Sequence, residues 1–159
     1  PRFIPSGSML PTLEIQDRLL IEKISPRIKR SLGRDLVYQS IVVFKPPSEL
    51  IAAGYDPNSA LIKRVVGLPG DQIEVHDGIL FRNGIAIKED WLSKPINYEM
   101  TNKIVSNHSI WVLGDNRNNS LDSHIWGELP EKNVIGTAVW RYWPIQRFGP
   151  IRFPTHREI

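Results

Sequence analysis

Cysteine is absent from this chain of 159 residues. Its absence excludes disulfide bonds, a cysteine nucleophile and metal sites built on thiolates. Histidine is scarce as well, and no pair has the H-x-x-x-H spacing that is typical of a metal site. The four positions are His76, His108, His124 and His156. We therefore expect no metal site of these kinds.

Long apolar runs are also missing. No stretch reaches the about 18 apolar residues that a membrane-spanning helix needs. A long basic stripe is missing too, since 20 Lys and Arg against 17 Asp and Glu leave a formal charge of only +3. This mild excess is compatible with a membrane lipid surface as a partner and predicts no nucleic-acid partner. Because the chain starts at Pro1 rather than Met, we expect it to be part of a longer or processed protein.

The sequence does contain many short apolar segments separated by turns. The clearest pattern begins at Ile73, where apolar and polar residues alternate, and Asp77-Gly78 and Asn83-Gly84 suit two-residue hairpin turns. Further strands are predicted at residues 18–23, 37–44, 61–66, 109–113 and 136–142. Helical turns are predicted at 48–54, with Ser48 as N-cap, and at 130–133, whereas 91–107 has no clear period and is interpreted as a surface excursion.

These elements predict an all-β or β-rich fold of antiparallel sheets with one or two short helices. We expect a single domain over residues 1–159, with residues 72–108 as a small hairpin excursion within it.

Residues 4–13, Ile-Pro-Ser-Gly-Ser-Met-Leu-Pro-Thr-Leu, form the segment around which we expect the chain to be organised. Two prolines restrict the backbone on either side of the serines, and Gly7 allows it to pass close to another group. Apolar neighbours predict a partly dry site. Ser8 is therefore a candidate nucleophile, and the alternative is an ordinary turn rich in Ser, Gly and Pro.

A serine hydroxyl needs a base, and the sequence offers two candidates. His124 with Asp122 or Asp115 would make a histidine-based triad. Lys63 would make a Ser–Lys pair, because it interrupts an apolar strand on the face that Leu61 and Val65 occupy. Burial on that face would lower its pKa by roughly 2–3 units from about 10.4. The alternative is a lysine whose stem packs while its amine reaches water.

Residues 114–120, Gly-Asp-Asn-Arg-Asn-Asn-Ser, form a dense polar loop. Ser120 is a candidate for orienting a neutral lysine, since a carboxylate would hold the proton on the amine. Asp115 and Arg117 are expected to pair with each other and stiffen the loop. The alternative is an asparagine-rich surface turn.

Five motifs together resemble the type I signal peptidases, membrane-anchored serine proteases that remove leader peptides from exported proteins. The motifs are residues 5–13, 17–23, 41–44, 63–71 and 114–123. The opening Pro-Arg-Phe-Ile-Pro is most similar to cyanobacterial and plastid members. The resemblance implies antiparallel sheets of the signal peptidase type, no metal or cofactor, and preprotein signal peptides as partners.

The resemblance also implies roles for individual residues. Ser8 matches the nucleophile, Lys63 the general base, and Ser6 the residue whose hydroxyl joins the Ser8 N–H in the oxyanion hole. Ser120 matches the residue that positions the lysine. Positions that support the site are Asp115, Arg64, Arg117 and Asp122. Apolar positions around the S1 and S3 pockets, which select Ala-X-Ala before the cut, are Ile4, Met9, Leu13, Val43 and Ile62.

The resemblance implies a setting, and the chain departs from the family pattern at several places, among them His124 and Gln39-Ser40. The full-length protein is expected to carry an anchor upstream, in the plasma or thylakoid membrane, with the catalytic domain on the periplasmic or lumenal side. His124 stands where many relatives have Arg, so pairing with Asp122 would become pH-sensitive. Gln39-Ser40 stands where Gly-Asp is common.

Two other functions compete with a signal peptidase. Self-cleaving repressors of the DNA-damage response use the same serine–lysine chemistry, but they need a DNA-binding domain, and the chain has no evident helix-turn-helix. A catalytically silent β-rich module could instead dock on a membrane surface through Ile4, Met9 and the tryptophans.

Overall fold

The computed structural model describes residues 2–3, 6–23 and 36–151, the first two by their backbone alone. Within these ranges the strands are β1 Arg2–Phe3, β2 Arg18–Lys23, β3 Ile41–Phe44, β4 Leu61–Gly67, β5 Gln72–His76, β6 Ile79–Arg82, β7 Ile85–Ala86, β8 Met100–Ile104, β9 Ser109–Leu113, β10 Leu129–Pro130, β11 Val134–Trp143 and β12 Gly149–Pro150. The helices are α1 Ser48–Ala52 and α2 Ser123–Trp126, and single 3₁₀ turns lie at Glu131–Asn133 and Ile145–Arg147. No helix in the described ranges has the length and apolar character to cross a bilayer.

Eight strands form a large sheet in the order β1-β2-β11-β3-β4-β9-β10, with β12 paired to β11. The paired strands are antiparallel, which confirms the predicted fold class. Strand β11 runs through the sheet and pairs with both β2 and β3. Strand β4 lies between β3 and β9, so its side chains project from the interior of the sheet rather than from its edge.

Strand β4 is buried on both faces. On one face Val65 belongs to an apolar cluster with Phe44, Val112 and Trp126, and Leu61 packs against that cluster. On the other face Ile62 belongs to a second cluster, formed largely by the Met9 segment and strand β3. Because strand residues alternate between faces, Lys63 shares the face of Leu61 and Val65, as the sequence predicts.

A four-stranded sheet, in the order β7-β6-β5-β8, covers most of the predicted hairpin excursion. Both predicted hairpin turns are present, with φ of 52° at Asp77 and 53° at Asn83, each followed by a glycine with φ of 79°. Positive φ at both central residues gives the backbone twist that joins antiparallel strands tightly. An apolar core, which includes Ile73, Val75 and Leu80, connects this sheet to Trp111 and Leu113 of β9.

The interpretation of residues 91–107 as a surface excursion without a clear period missed one element. Strand β8 lies within it and pairs with β5, where Ile104 stands opposite Gln72. Its sequence, Met-Thr-Asn-Lys-Ile, buries only Met100. An edge strand of this kind is formed by backbone pairing with β5, so it carries no apolar alternation that sequence reasoning could detect.

Two boundaries also differ from the prediction. Helix α1 begins with Ser48 as its first helical residue, and Pro47 is the N-cap without a side-chain bond, so the predicted Ser48 cap was wrong. Strand β3 starts at Ile41 because the preceding residues form a turn, in which Gln39 has φ of 69°. The Ser40 hydroxyl closes that turn by donating to the Val37 carbonyl at 2.6 Å.

Candidate active site

Ser8 and Lys63 meet in the structure although 55 positions separate them in the chain. Ser8 lies in a tight turn that the bond from the Leu10 N–H to the Gly7 carbonyl closes at 3.1 Å. The Lys63 Nζ atom lies 2.8 Å from the Ser8 Oγ atom and donates to the Ile62 carbonyl at 3.0 Å. The lysine is only 5% exposed, so its amine does not reach out into water as the alternative interpretation required.

The surroundings of Lys63 make its amine easier to deprotonate than that of a lysine in water. Burial lowers the pKa of Lys63 to about 8, although the negative charges of Asp122 and Asp115 act in the opposite direction. At pH 7 roughly a tenth of the amine is therefore uncharged and can accept a proton, far more than for an ordinary exposed lysine. At 2.8 Å the Ser8 hydroxyl is within reach for that transfer.

Ser6 lies beside the same hydroxyl. Its Oγ atom is 3.4 Å from the Ser8 Oγ atom, and the residue is exposed. The hydroxyl donates a long bond to the Ser8 Oγ atom and is close enough to turn towards an oxygen that develops next to Ser8. The role of Ser6 in an oxyanion hole stays a prediction.

The polar loop at 114–120 holds the backbone of the serine turn. The Asn116 N–H donates to the Ser8 carbonyl at 2.9 Å, and the Asn116 side-chain amide donates to the Gly7 carbonyl at 3.1 Å. A Cβ atom at Gly114 would lie 2.1 Å from the Ser120 Oγ atom and 2.5 Å from the Ser8 carbonyl oxygen. Only glycine permits this approach. Sequence reasoning singled out the loop but missed Asn116 as its contact with the nucleophile.

A buried ion pair lies behind the dyad. Arg64 donates to both oxygens of the Asp115 carboxylate, at 2.8 Å and 2.7 Å, and to the Gln39 carbonyl at 2.9 Å. The Thr12 hydroxyl donates to the same carboxylate at 2.5 Å. Arg64 and Asp115 are 1% and 2% exposed. The network thus joins β4, the serine segment and the polar loop, which is consistent with the supporting positions predicted for Arg64 and Asp115.

Arg117 has a different partner from the one expected. The predicted pairing of Asp115 with Arg117 was wrong, because Arg117 donates to both carboxylate oxygens of Glu89, at 2.6 Å and 2.7 Å. It also donates to the Gly114 carbonyl at 3.0 Å. Glu89 follows β7. Sequence patterns did not predict its role, because its partner Arg117 lies 28 positions further along the chain. The pair connects the polar loop to the region of the smaller sheet.

Asp122, which is buried, and His124, which is partly buried, form a third group. The Asp122 carboxylate accepts from the Gly114 N–H at 2.9 Å and caps α2 through the His124 N–H at 3.2 Å. It also contacts the His124 Nδ1 atom, and the imidazole stacks on Tyr98 with centroids 4.0 Å apart. The hydrogen bonds described for His124 thus all involve Asp122. The base within hydrogen-bond distance of the Ser8 hydroxyl is Lys63. This geometry favours the lysine over the histidine-based triad.

Ser120 lies in the cleft beside the dyad. Its Oγ atom is buried and has no hydrogen-bond partner among the described residues. The carbonyl that orients the Lys63 amine belongs to Ile62 instead. The lysine-positioning role of Ser120 therefore stays a prediction.

The apolar residues predicted for the substrate pockets lie together next to the dyad. Met9, Leu13, Val43 and Ile62 are buried in the second cluster, and Ile4 lies outside the described residues. Their contact with a substrate stays a prediction. Of the described residues, no three His, Asp or Glu come close enough together to hold a metal ion.

A cleft of about 660 Å³ opens over Ser8 and Lys63. Its remaining lining comes from the serine segment, from α1 and the turn after it, from β4, from the loop before β8, and from the polar loop and α2. These residues are Ser6, Gly7, Leu50, Tyr55, Leu61, Asn97, Tyr98, Arg117, Asn118, Asn119, Ser120, Leu121, His124 and Ile125.

Comparison with known proteins agrees with this geometry. Residues 1–143 match the family model described as signal peptidase, peptidase S26. The chain belongs to the signal peptidase family. It is therefore grouped with serine peptidases, and the resemblance drawn from its motifs is confirmed.

Individual relatives extend from bacteria to plants. Over 153 residues the chain is 45% identical to a signal peptidase I from Leptolyngbya laminosa, which covers 96% of this chain and 73% of that protein. Over 147 residues it is 46% identical to the chloroplastic thylakoidal processing peptidase 1 of Arabidopsis thaliana, covering 91% of this chain and 42% of that protein. The fold is similar to the crystal structure of a signal peptidase I from Enterococcus faecalis, with a TM-score of 0.54 and 26% identity over 65% of this chain and 97% of that one.

Proposed function

We propose that this chain cuts signal peptides from exported preproteins after Ala-X-Ala, with Ser8 as nucleophile and Lys63 as general base. The observation that carries the proposal is the 2.8 Å contact between the Ser8 hydroxyl and a buried amine whose pKa is lowered to about 8. The family membership and the names of the relatives supply the substrate class.

The first half of the reaction forms an acyl-enzyme. Lys63 takes the proton of the Ser8 hydroxyl while the Oγ atom attacks the carbonyl carbon of the scissile peptide bond. The oxyanion that forms is held by the Ser8 N–H and the Ser6 hydroxyl. Loss of one such donor costs roughly 2.7–4 kcal/mol in other enzymes. Lys63 then gives its proton to the leaving amine, and the signal peptide remains bound to Ser8 as an ester.

The second half releases the signal peptide. The neutral lysine takes a proton from a water molecule, whose oxygen attacks the ester carbonyl. The proton returns to the Ser8 Oγ atom as the ester breaks. The products are a signal peptide with a free carboxylate and a regenerated dyad.

We further propose that the full-length protein works at a membrane, plasma or thylakoid, with this part on the periplasmic or lumenal side. The name of the Arabidopsis relative places that protein in the thylakoid, and the implied substrates are exported across membranes. A lipid surface next to the substrate is then the second partner.

Cleavage of a preprotein by single-residue variants tests the proposal. We expect Ser8→Ala and Lys63→Ala each to lose turnover, whereas Ser93→Ala and Lys45→Ala, which alter exposed residues of the same types, keep it. Near-normal turnover in Ser8→Ala or Lys63→Ala would overturn the proposed dyad. His124→Ala, measured in parallel, would show retained chemistry if the lysine is the base.

A further inference from the structure

The cleft over the dyad has an apolar wall that catalysis itself does not use. The wall consists of Leu61 of β4, Tyr55 after α1, Leu121 just before α2, and Ile125 within α2. Ile125 is 62% exposed and Leu121 40% exposed. Large apolar side chains that share a cleft with reactive groups are typical of a binding surface.

The two faces of β4 divide the space around the dyad. Ile62 projects to the face of the Met9 and Val43 cluster, where the resemblance places the pockets for the residues before the cut. Leu61 and Lys63 project to the opposite face, where the cleft lies. With the residues before the cut on the Ile62 side, a polypeptide that crosses the dyad would have the residues after the cut on the Leu61 side.

The other wall of the cleft suits an extended backbone. Asn97, Asn118 and Asn119 line it. The Asn118 amide already accepts from the Asn97 N–H and donates to the Pro95 carbonyl, whereas the side-chain amides of Asn97 and Asn119 can both donate and accept hydrogen bonds, as a peptide group does. The residues that line the cleft include no Asp or Glu. A cationic side chain would thus find no counter-ion there, whereas an apolar one would contact Leu121 and Ile125.

We propose that this cleft binds the first residues of the mature polypeptide, directly after the cleaved bond, and that Leu121 and Ile125 favour an apolar side chain at that place. The inference rests on the proposed function, because it assumes cleavage at Ser8. It adds a determinant of specificity on the side of the leaving amine.

Three peptides test the inference. They are identical up to and including Ala-X-Ala and carry two leucines, two serines or two lysines directly after the cut. We expect kcat/KM for the leucine peptide to exceed that for the serine peptide by roughly tenfold, the range for apolar contacts in a pocket, with the lysine peptide poorest. Equal kcat/KM for the three peptides would overturn the inference while leaving the proposed function intact.

Two variants locate the determinant. Ile125→Ser should lower the ratio of leucine to serine kcat/KM by roughly fivefold, since it removes an apolar contact. Ile104→Ser is the matched control, because Ile104 is 69% exposed on the edge strand β8, away from the cleft lining, and should leave the ratio unchanged. The ratio is independent of the fraction of folded enzyme. An unchanged ratio in Ile125→Ser would contradict the inference, and failure of the wild-type chain to cut any peptide would overturn the proposed function itself.

Discussion

The two sheets differ in whether charged side chains are buried within them. The large sheet buries Lys63 and Arg64, consecutive residues on opposite faces of β4, and the polar loop next to it buries Asp115. The interior of the small sheet is apolar, with Ile73, Val75 and Leu80 each at most 1% exposed. Burying charges costs stability unless every partner is in place, so their concentration at one site indicates chemistry rather than support of the fold. The comparison predicts that substitutions at the buried charges of the large sheet will lower activity, whereas substitutions in the small sheet will lower stability alone.

The largest effect on activity is expected for Lys63→Met. Turnover should fall by about 10²–10⁴-fold, the contribution of a general base. The variant should be more stable than the wild-type chain, because burial in the folded state lowers the pKa of Lys63 from 10.5 to about 8. The unfolded chain therefore binds more protons between these values, and the wild-type chain gains stability as pH rises through this window. Below pH 8 the variant should be more stable by up to about 3 kcal/mol.

Urea unfolding of both proteins at pH 7 and pH 10 measures this difference. The gap should shrink as pH rises. A variant that is less stable than wild type at both values would contradict the cost of burying the amine.

The largest loss of stability is expected for Arg64→Met. It leaves the buried Asp115 carboxylate with the Thr12 hydroxyl but without its cation, which costs about 3–5 kcal/mol. Activity should fall as well, since Asp115 belongs to the loop that holds the serine turn. The double variant Arg64→Met with Asp115→Leu removes both charges and should recover part of the stability. If the single variant lost less than about 1 kcal/mol, the pair would be no essential part of the site.

In the small sheet, Ile73→Ala should lower stability without changing the chemistry. Ile73 is 0% exposed in the core between the sheets, and removing its side chain costs about 2–5 kcal/mol. Turnover per folded molecule should stay within about twofold of wild type, a change of roughly 0.4 kcal/mol in the barrier. Active-site titration at a temperature where the variant is folded measures it. A large drop in turnover would show that the small sheet shapes the dyad directly.

The smallest effect is expected for Asp71→Asn, at the start of the small sheet. Burial raises the pKa of Asp71, but bonds from Arg82 at 2.6 Å, the Leu68 N–H and Asn83 outweigh it and lower the pKa overall. The carboxylate therefore contributes stability that is present at neutral pH and is lost as pH falls through its folded pKa. The variant should lose about 1.5–3 kcal/mol near pH 7 and less in acid. A loss that persists unchanged at low pH would argue against the ionised form.

The sequence predicted the parts of this protein that depend on local chemistry. Asp77-Gly78 and Asn83-Gly84 determine their turns by themselves, and Lys63 is visible because a lysine within an apolar strand is costly. Glu89, Asn116 and strand β8 were missed, since each is defined by a partner far along the chain. The wrong pairing of Asp115 with Arg117 has the same origin. Proximity in the loop suggested a pair, whereas the fold brings Arg64 to Asp115 and Glu89 to Arg117.

The roles of the site residues were predicted from the family resemblance more than from any pattern of residues. The residues alone left open whether His124 or Lys63 was the base. The structure separates them, because packing places the Lys63 amine against Ser8 and the His124 ring against Asp122 and Tyr98. Such a choice between two bases depends on tertiary contacts that no local period encodes.

The pH profile of kcat/KM for preprotein cleavage tests the central claim most directly, since it reports the pKa of the base in the free enzyme. Cleavage should increase with pH along a limb with an apparent pKa of about 8, the value to which burial lowers Lys63, and level off above it. A rate that continues to rise through about pH 10, as an ordinary exposed lysine would require, would contradict a neutral buried amine as the base for Ser8.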